Sequence, residues 1–279
     1  MSTTIMVPLD GSPAAECAIP WALALAKRMN GAVRLVGVHA PPAVMFDGES
    51  MVGNIIPDIS IRQKEVDYFA AVQARVHEPD VPVIADLLDG SVISSLADYA
   101  GKLGPRWAVM ATHGRGAMAR FLLGETATEF VRRSPCPVLL IHEGEPKPGS
   151  DVSNVLIPLD GSELAEQMLG PAAQFARAFG APITLLIAQA DCQLADPVGY
   201  LNQQADRLRA DGLTVETRVV TEGHAAEAIV ATATARAGTV IALATHGRGG
   251  LSKLVWGSIT EAVVHRTTAP VLVFKPGQK

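Results

Sequence analysis

Part of this chain is written twice. Ile5-Met-Val-Pro-Leu-Asp-Gly-Ser12 returns as Val155-Leu-Ile-Pro-Leu-Asp-Gly-Ser162, so Asp10 is matched by Asp160, 150 residues on. Ala111-Thr-His-Gly-Arg-Gly116 returns as Ala244-Thr-His-Gly-Arg-Gly249, with His113 and His246 separated by 133. The run Pro135-Cys-Pro-Val-Leu-Leu-Ile141 returns as Thr268-Ala-Pro-Val-Leu-Val-Phe274, again 133 on. A repeat of this length marks two copies of one folding unit. A chain of 279 residues suits two domains of about 100–150 residues each. The expected domains are residues 1–145 and 151–279, joined by the polar, Pro- and Gly-containing stretch Glu143–Ser153. The spacing falls by 17 between the first anchor and the later two, so copy one carries about that many extra residues. They fall near Pro41–Pro57, whose Pro and Gly content reads as a long loop.

Each copy alternates short β-branched runs with helical stretches. In copy one the expected strands are Thr4–Leu9, Val33–His39, Val81–Leu88, Trp107–Thr112 and Val138–His142. The expected helices are Pro13–Met29, with Gly31 as its C-cap, then Ile59–Val76, Ser91–Leu103 and Thr126–Arg133. Copy two repeats the pattern, with helices over Leu164–Phe179, Leu194–Ala210, Ala225–Ala237 and Ser258–Thr267. Such alternation implies βαβ units and a parallel, doubly wound α/β sheet in each copy. The composition agrees: 48% hydrophobic residues with only 5% aromatics suits buried parallel strands under Ala-rich helices. The last strand of each copy is apolar, and a sheet ending there would expose an edge that invites pairing. We therefore expect Val138–His142 and Val271–Phe274 to pair antiparallel, giving an internal pseudo-two-fold dimer.

Several function classes are disfavoured. A net charge of −5 argues against a broad nucleic-acid surface, which needs clustered Lys and Arg. Cys17, Cys136 and Cys192 lie far apart with no CxxC, which is poor material for a disulfide framework or a metal centre. No apolar run reaches the roughly 18 residues that span a bilayer, and the N-terminus lacks a signal-peptide pattern. The expectation is a soluble cytoplasmic protein.

In open α/β sheets, ligands bind beyond the carboxyl ends of the strands, where strand order reverses. Two motif groups follow such strands. Asp10-Gly-Ser12 and Asp160-Gly-Ser162 follow the first strand of each copy, and Ala-Thr-His-Gly follows the fourth. Asp-Gly-Ser before a helix is also ordinary turn and N-cap chemistry. The glycines are more informative. Gly247, nine intervening residues and Gly257-Ser258 allow close approach of backbone N–H groups to a phosphate, with a helix N-terminus behind them. Ser258-Ile-Thr-Glu261 also fits a capping box, and Thr126-Ala-Thr-Glu129 offers one shifted by a residue in copy one. There is no Gly-Lys-Ser/Thr of a Walker A loop, and the glycines follow the fourth strand rather than the first, unlike a dinucleotide fingerprint. His113 and His246 have no Ser or Cys nucleophile motif beside them, so a turn or ligand contact is preferred to general-base chemistry.

The VPLDGS start, the Gly-x2-Gly-x9-Gly-Ser/Thr pattern and the Pro-Val-Leu-Val ending resemble the universal stress protein family in its tandem form. The resemblance covers nearly the whole chain and implies a five-stranded 3-2-1-4-5 Rossmann-like sheet in each copy. It also implies an adenine nucleotide, ATP or else AMP or ADP, with Mg²⁺ as a companion ion and at most weak ATP hydrolysis. Carried onto this chain, the copy-two site comprises Pro158, Leu159, Asp160 and Ala188 at the base and ribose. Thr245, His246, Gly247, Arg248, Gly249, Gly257, Ser258, Ile259 and Thr260 form its phosphate end. Copy one has Pro8, Asp10, Val38, His113, Gly114, Gly116, Gly124 and Thr126. The first glycine of the pattern is replaced by Ala111 and Ala244, and Glu125 stands where copy two has Ser258. A carboxylate beside a triphosphate is repulsive, so copy two is expected to hold the better site. The competing readings are a nucleotide-independent stress protein that acts through partners, a homodimer included, and a slow ATP hydrolase.

Overall fold

The computed structural model describes residues 3–41, 58–104, 106–112, 123–144, 152–245 and 256–275. In the first half the strands are β1 (Thr4–Pro8), β2 (Ala32–His39), β3 (Val83–Asp89), β4 (Trp107–Ala111) and β5 (Val138–Ile141). In the second they are β6 (Asn154–Pro158), β7 (Ile183–Ala188), β8 (Val215–Val220), β9 (Thr239–Ala244) and β10 (Val271–Phe274). The helices of the first half are α1 (Ala18–Arg28), α2 (Asp58–Arg75), α3 (Val92–Leu103) and α4 (Glu125–Arg133). Those of the second are α5 (Glu163–Glu166), α6 (Leu169–Phe179), α7 (Pro197–Ala210), α8 (Ala225–Thr234) and α9 (Ser258–Arg266).

Both halves have the parallel strand order 3-2-1-4-5, and together they make one ten-stranded sheet, β3-β2-β1-β4-β5-β10-β9-β6-β7-β8. The junction is the antiparallel pairing of β5 with β10, in which Val271, Leu272 and Val273 face Leu140, Leu139 and Val138. The two apolar edges thus cover one another. The outer edges, β3 and β8, carry Asp86, Asp89, Glu216 and Arg218, charges that discourage further pairing.

Helices cover both faces, as a doubly wound sheet requires. One core gathers Trp21 of α1, Phe69 of α2, Phe175 of α6 and Leu201 of α7. The other gathers Leu96 of α3, Phe130 of α4, Ile229 of α8 and Val263 of α9. Each core draws on both halves, so the junction is packed as well as hydrogen-bonded. At the seam Trp107 of β4 meets Phe175 with centroids 5.9 Å apart, and Trp21 meets Phe179 at 6.5 Å. The Arg28 guanidinium lies 4.6 Å from the Phe179 centroid, a cation–π contact that also crosses the seam.

Four helix expectations need correction. The single helices expected over Pro13–Met29 and Leu164–Phe179 are both divided. A 3-10 turn, Ala15–Cys17, precedes α1, and α5 precedes α6. Pro20 and Pro171 are each the third residue of the following helix. A proline ring has no N–H and clashes with the carbonyl four residues back, so the helix cannot run through from upstream. Gly31 does not take the left-handed cap. Asn30 does, at φ 49°, and Gly31 instead packs against the Thr3 carbonyl where a Cβ would clash. Finally, α7 starts at Pro197 rather than at Leu194. The Asp196 side chain caps it by accepting from the Gly199 N–H at 2.9 Å.

The seam gives a first prediction. Phe175→Ala is expected to lower stability by about 3–5 kcal/mol. A double-mutant cycle with Trp107→Ala in urea unfolding is expected to give a coupling of about 0.5–1.5 kcal/mol. Strict additivity would mean that the two halves do not support each other there.

Candidate functional site

β1 lies between β2 and β4, and β6 lies between β7 and β9. The strand order therefore reverses beside β1 and β6, and the loops leaving β1 and β4, or β6 and β9, diverge around one crevice per half. Pro8 and Pro158 end the strands that open onto it. Leu9 and Leu159 follow, both buried, and Leu9 N–H and Leu159 N–H donate to Val36 and Leu186 of the neighbouring strands.

The aspartates come next. Asp10 Oδ1 accepts from the Ser12 N–H at 2.9 Å and from Ser12 Oγ at 2.6 Å. Asp160 Oδ1 does the same with Ser162 at 2.9 and 2.6 Å. Each serine Oγ then accepts from the N–H three residues on, Ala15 at 3.1 Å and Ala165 at 3.2 Å. Turn and cap chemistry is therefore present in both copies. It uses the same carboxylate oxygen in each, and it holds each aspartate in a defined pose at the crevice mouth. Gly11 and Gly161, at φ 82° and 80°, make the turn possible.

In copy one a cleft of about 280 Å³ opens on this turn. Leu9, Asp10 and Gly11 form its floor, with Val38 of β2 and Leu87 of β3 beside them. α2 supplies the opposite wall through Ile61, Lys64, Glu65, Tyr68 and Phe69. Buried His39 holds that wall to β2, its Nδ1 2.6 Å from Glu65 Oε2. The Tyr68 hydroxyl donates to Glu16 Oε1 at 3.0 Å, and Arg75 pairs with the same carboxylate. Copy two repeats this: the Tyr200 hydroxyl donates to Glu166 Oε1 at 3.0 Å, and Gln204 donates to it at 3.2 Å. Burial, and then the hydrogen bond to the carboxylate, hold both phenols well above the ordinary tyrosine range. These Tyr–Glu pairs were not among the residues expected from sequence. The available signal was the repeat itself, since Glu16 and Glu166 share the 150-residue spacing of Asp10 and Asp160.

The helix end of the crevice is built from the fourth strand. Gly124 N–H donates to the Thr112 carbonyl at 2.8 Å, and Gly257 N–H to the Thr245 carbonyl at 2.6 Å. Those bonds fix the starts of α4 and α9 at the ends of β4 and β9. Gly124 and Gly257 are the N-caps, and neither helix has a side-chain cap bond. The capping boxes expected at Ser258–Glu261 and Thr126–Glu129 are therefore not formed, and the two helices start at matched positions, Glu125 and Ser258. Glu129 is drawn instead to Arg132 and Arg133. Glu125, Thr126 and Ser258 are exposed on the first turn, with Ile259 half-buried behind them. Thr260 is buried, and its hydroxyl donates to the Ala244 carbonyl at 2.9 Å, tying α9 to β9. Its counterpart in copy one, Ala127, is also buried but cannot make that bond. Ala188, the last residue of β7, is buried beside the crevice. His113, Gly114, Gly116, His246, Gly247, Arg248 and Gly249 lie outside the described residues, as does the expected loop beyond Pro41.

Burial pushes the Cys136 thiol up to about 11, so it is no nucleophile at neutral pH. Among the described residues no His/Cys/Asp/Glu group could hold a metal ion, and no helix is long and apolar enough to cross a membrane.

Comparison with known proteins agrees with this architecture. The sequence profile of the Universal stress protein family matches residues 1–142 and 152–275. A universal stress protein of Mycobacterium tuberculosis (strain ATCC 25618 / H37Rv) is 31% identical over 180 residues, which is 59% of this chain and 60% of that relative. The match thus spans less than two thirds of the relative's length. A universal stress protein of Mycolicibacterium smegmatis is 26% identical over 293 residues, covering 98% of this chain and 97% of that one. The crystal structure of a universal stress protein from Archaeoglobus fulgidus DSM 4304 shares the fold, with a TM-score of 0.70 at 19% identity, over 99% of this chain and 97% of that one.

The Tyr–Glu pairs make a pH prediction. Because the folded phenols titrate above their unfolded value, their contribution is complete below about pH 10 and is lost as pH rises further. Replacing both by Phe is expected to cost about 1–3 kcal/mol near neutrality and to flatten the decline above that pH. Urea titrations across the alkaline range would show it; a decline as steep as in the wild type would exclude the pairs as its source.

Proposed function

Since the chain belongs to the universal stress protein family, we propose that it is a stress-response or signalling protein that binds an adenine nucleotide in the strand-end crevice. ATP, or AMP or ADP, is the ligand class. The observation that carries this reading is the pair of backbone bonds from Gly124 and Gly257 to the fourth strand. They set a helix N-terminus, with its unpaired N–H groups and positive dipole end, at the same end of the sheet as the aspartate turn. One end of the crevice then suits a base and ribose, and the other suits phosphate.

In this reading residues 1–145 and 151–279 are two nucleotide-binding domains. Pro158, Leu159, Asp160 and Ala188 face the base and ribose in copy two, and Pro8, Asp10 and Val38 do so in copy one. The resemblance also assigns the segments at His113–Gly116 and His246–Gly249, which lie outside the described residues, to the phosphate end. The phosphate end is better preserved in copy two. Ser258 presents a hydroxyl on the first turn of α9, where Glu125 presents a carboxylate on α4. Each tenfold difference in affinity is about 1.4 kcal/mol, less than the roughly 4 kcal/mol between like unit charges 4 Å apart near a protein surface. The protein would act in the cytoplasm by binding rather than by turnover.

Ser258→Glu tests this without threatening the fold, since the position is exposed and an acid on the first helical turn favours the helix. Calorimetric titration with ATP is expected to show copy-two binding weakened at least tenfold. Glu125→Ser is expected to strengthen copy one. Equal affinity in the wild type and both variants, or no ATP binding at all, would overturn the proposal.

A further inference from the structure

The helices that wall the two crevices start at different points, and one residue pair marks the difference. Tyr68 of α2 and Tyr200 of α7 are counterparts, as their matching bonds to Glu16 and Glu166 indicate. Counting back three residues from each tyrosine pairs Glu65 with Pro197. In copy one the helix runs through Glu65 and upstream to Asp58, so Ile61 and Lys64 are helical and line the cleft wall. In copy two Pro197 stops the helix. The residue before a proline is pushed out of helical conformation, and Asp196 is non-helical at φ −131°, ψ 82°. The seven residues preceding Pro197 therefore cannot extend α7 and must find another course.

They fold back over the strand ends. A 3-10 turn, Gln189–Asp191, leaves β7, and the Leu194 N–H donates to Cys192 Sγ at 3.4 Å. This course lays the Leu194 side chain directly on Gly161. A Cβ added at Gly161 would meet Leu194 Cδ1 and Cδ2 at 2.8 Å and Cγ at 2.9 Å. Gly161 is the counterpart of Gly11, on the floor of the copy-one cleft. Leu194 is also packed against the main core of that face, so it is held there by apolar contact.

We propose that Leu194 determines whether the copy-two crevice admits a base, by occupying the position over Gly161 that in copy one belongs to the cleft. This rests on the nucleotide reading above. A purine entering copy two must displace the leucine from Gly161, and the affinity of that site is reduced by the cost of doing so. The two copies then carry opposite defects. Copy one has a formed base cleft with Glu125 at the phosphate end, and copy two has Ser258 at the phosphate end with Leu194 over the base floor. Ligands reduced to the phosphate end escape the block, while those with a base do not.

The experiment is ATP titration by calorimetry of the wild type, Leu194→Ala, Ser258→Glu and the Leu194→Ala/Ser258→Glu double variant, with thermal melts of each. Leu194→Ala is expected to tighten ATP binding at copy two at least fivefold while lowering the melting temperature through lost packing. Adding Ser258→Glu is expected to remove that gain, which assigns it to copy two. A leucine that serves packing alone would lower the melting temperature with affinity unchanged or weakened, and that result overturns the proposal. Failure of the underlying reading has a different signature: no ATP heat that depends on Ser258 in any of the four proteins, which overturns both.

Discussion

A short antiparallel strand pairing makes the two half-sheets of this molecule continuous. Val138, Leu139 and Leu140 of β5 face Val273, Leu272 and Val271 of β10, in the only antiparallel strand pairing among the described residues. Strands this apolar at two sheet edges would invite indiscriminate pairing; here each satisfies the other. Because the junction makes the sheet continuous, helices on either side of it can share a core. Trp107 and Trp21 from one copy then pack on Phe175 and Phe179 from the other. Each face accordingly has a large core that draws on both copies.

That shared scaffold holds two crevices in matched positions, and the matching is close at the level of single hydrogen bonds. The aspartate turns agree within 0.1 Å in all three of their bonds. The Gly–Thr bonds that place α4 and α9 are likewise paired. Backbone geometry of this kind survives sequence change because it depends on a few residue types: Asp and Ser in a turn, Gly where the chain must approach a strand end. The side chains around it are freer to differ. Glu125 against Ser258, Ala127 against Thr260 and Glu65 against Pro197 have no effect on strand order, yet they change the charge, the anchoring and the helix start beside the crevices. A duplicated fold can thus hold two sites that are equal in architecture and unequal in chemistry.

Most of the fold was legible in the chain. The repeat identified two copies, the alternation of apolar runs and helical stretches identified a parallel sheet, and the apolar last strands foretold their own pairing. The misjudged helices share one cause. Pro20, Pro171 and Pro197 each stop a helix from continuing upstream, and periodicity read across a proline overestimates the helix. At the site, the aspartate turn was legible because Asp-Gly-Ser ahead of a helix is characteristic turn and cap chemistry. The capping boxes were misread because a local pattern does not reveal that the preceding glycine is already bonded to the end of the fourth strand, at Thr112 or Thr245. The Tyr–Glu pairs went unnoticed because their partners lie 52 and 34 residues apart.

Sequence alone therefore determined the duplication, the fold class, the turns and the candidate residues, since each follows from local stereochemistry or from a repeated pattern. Tertiary structure decided which of these meet. It brought Glu16 to Tyr68 and His39 to Glu65, and laid Leu194 on Gly161. Contacts of this sort depend on how the whole sheet and its helices pack, and no stretch of the chain encodes them by itself.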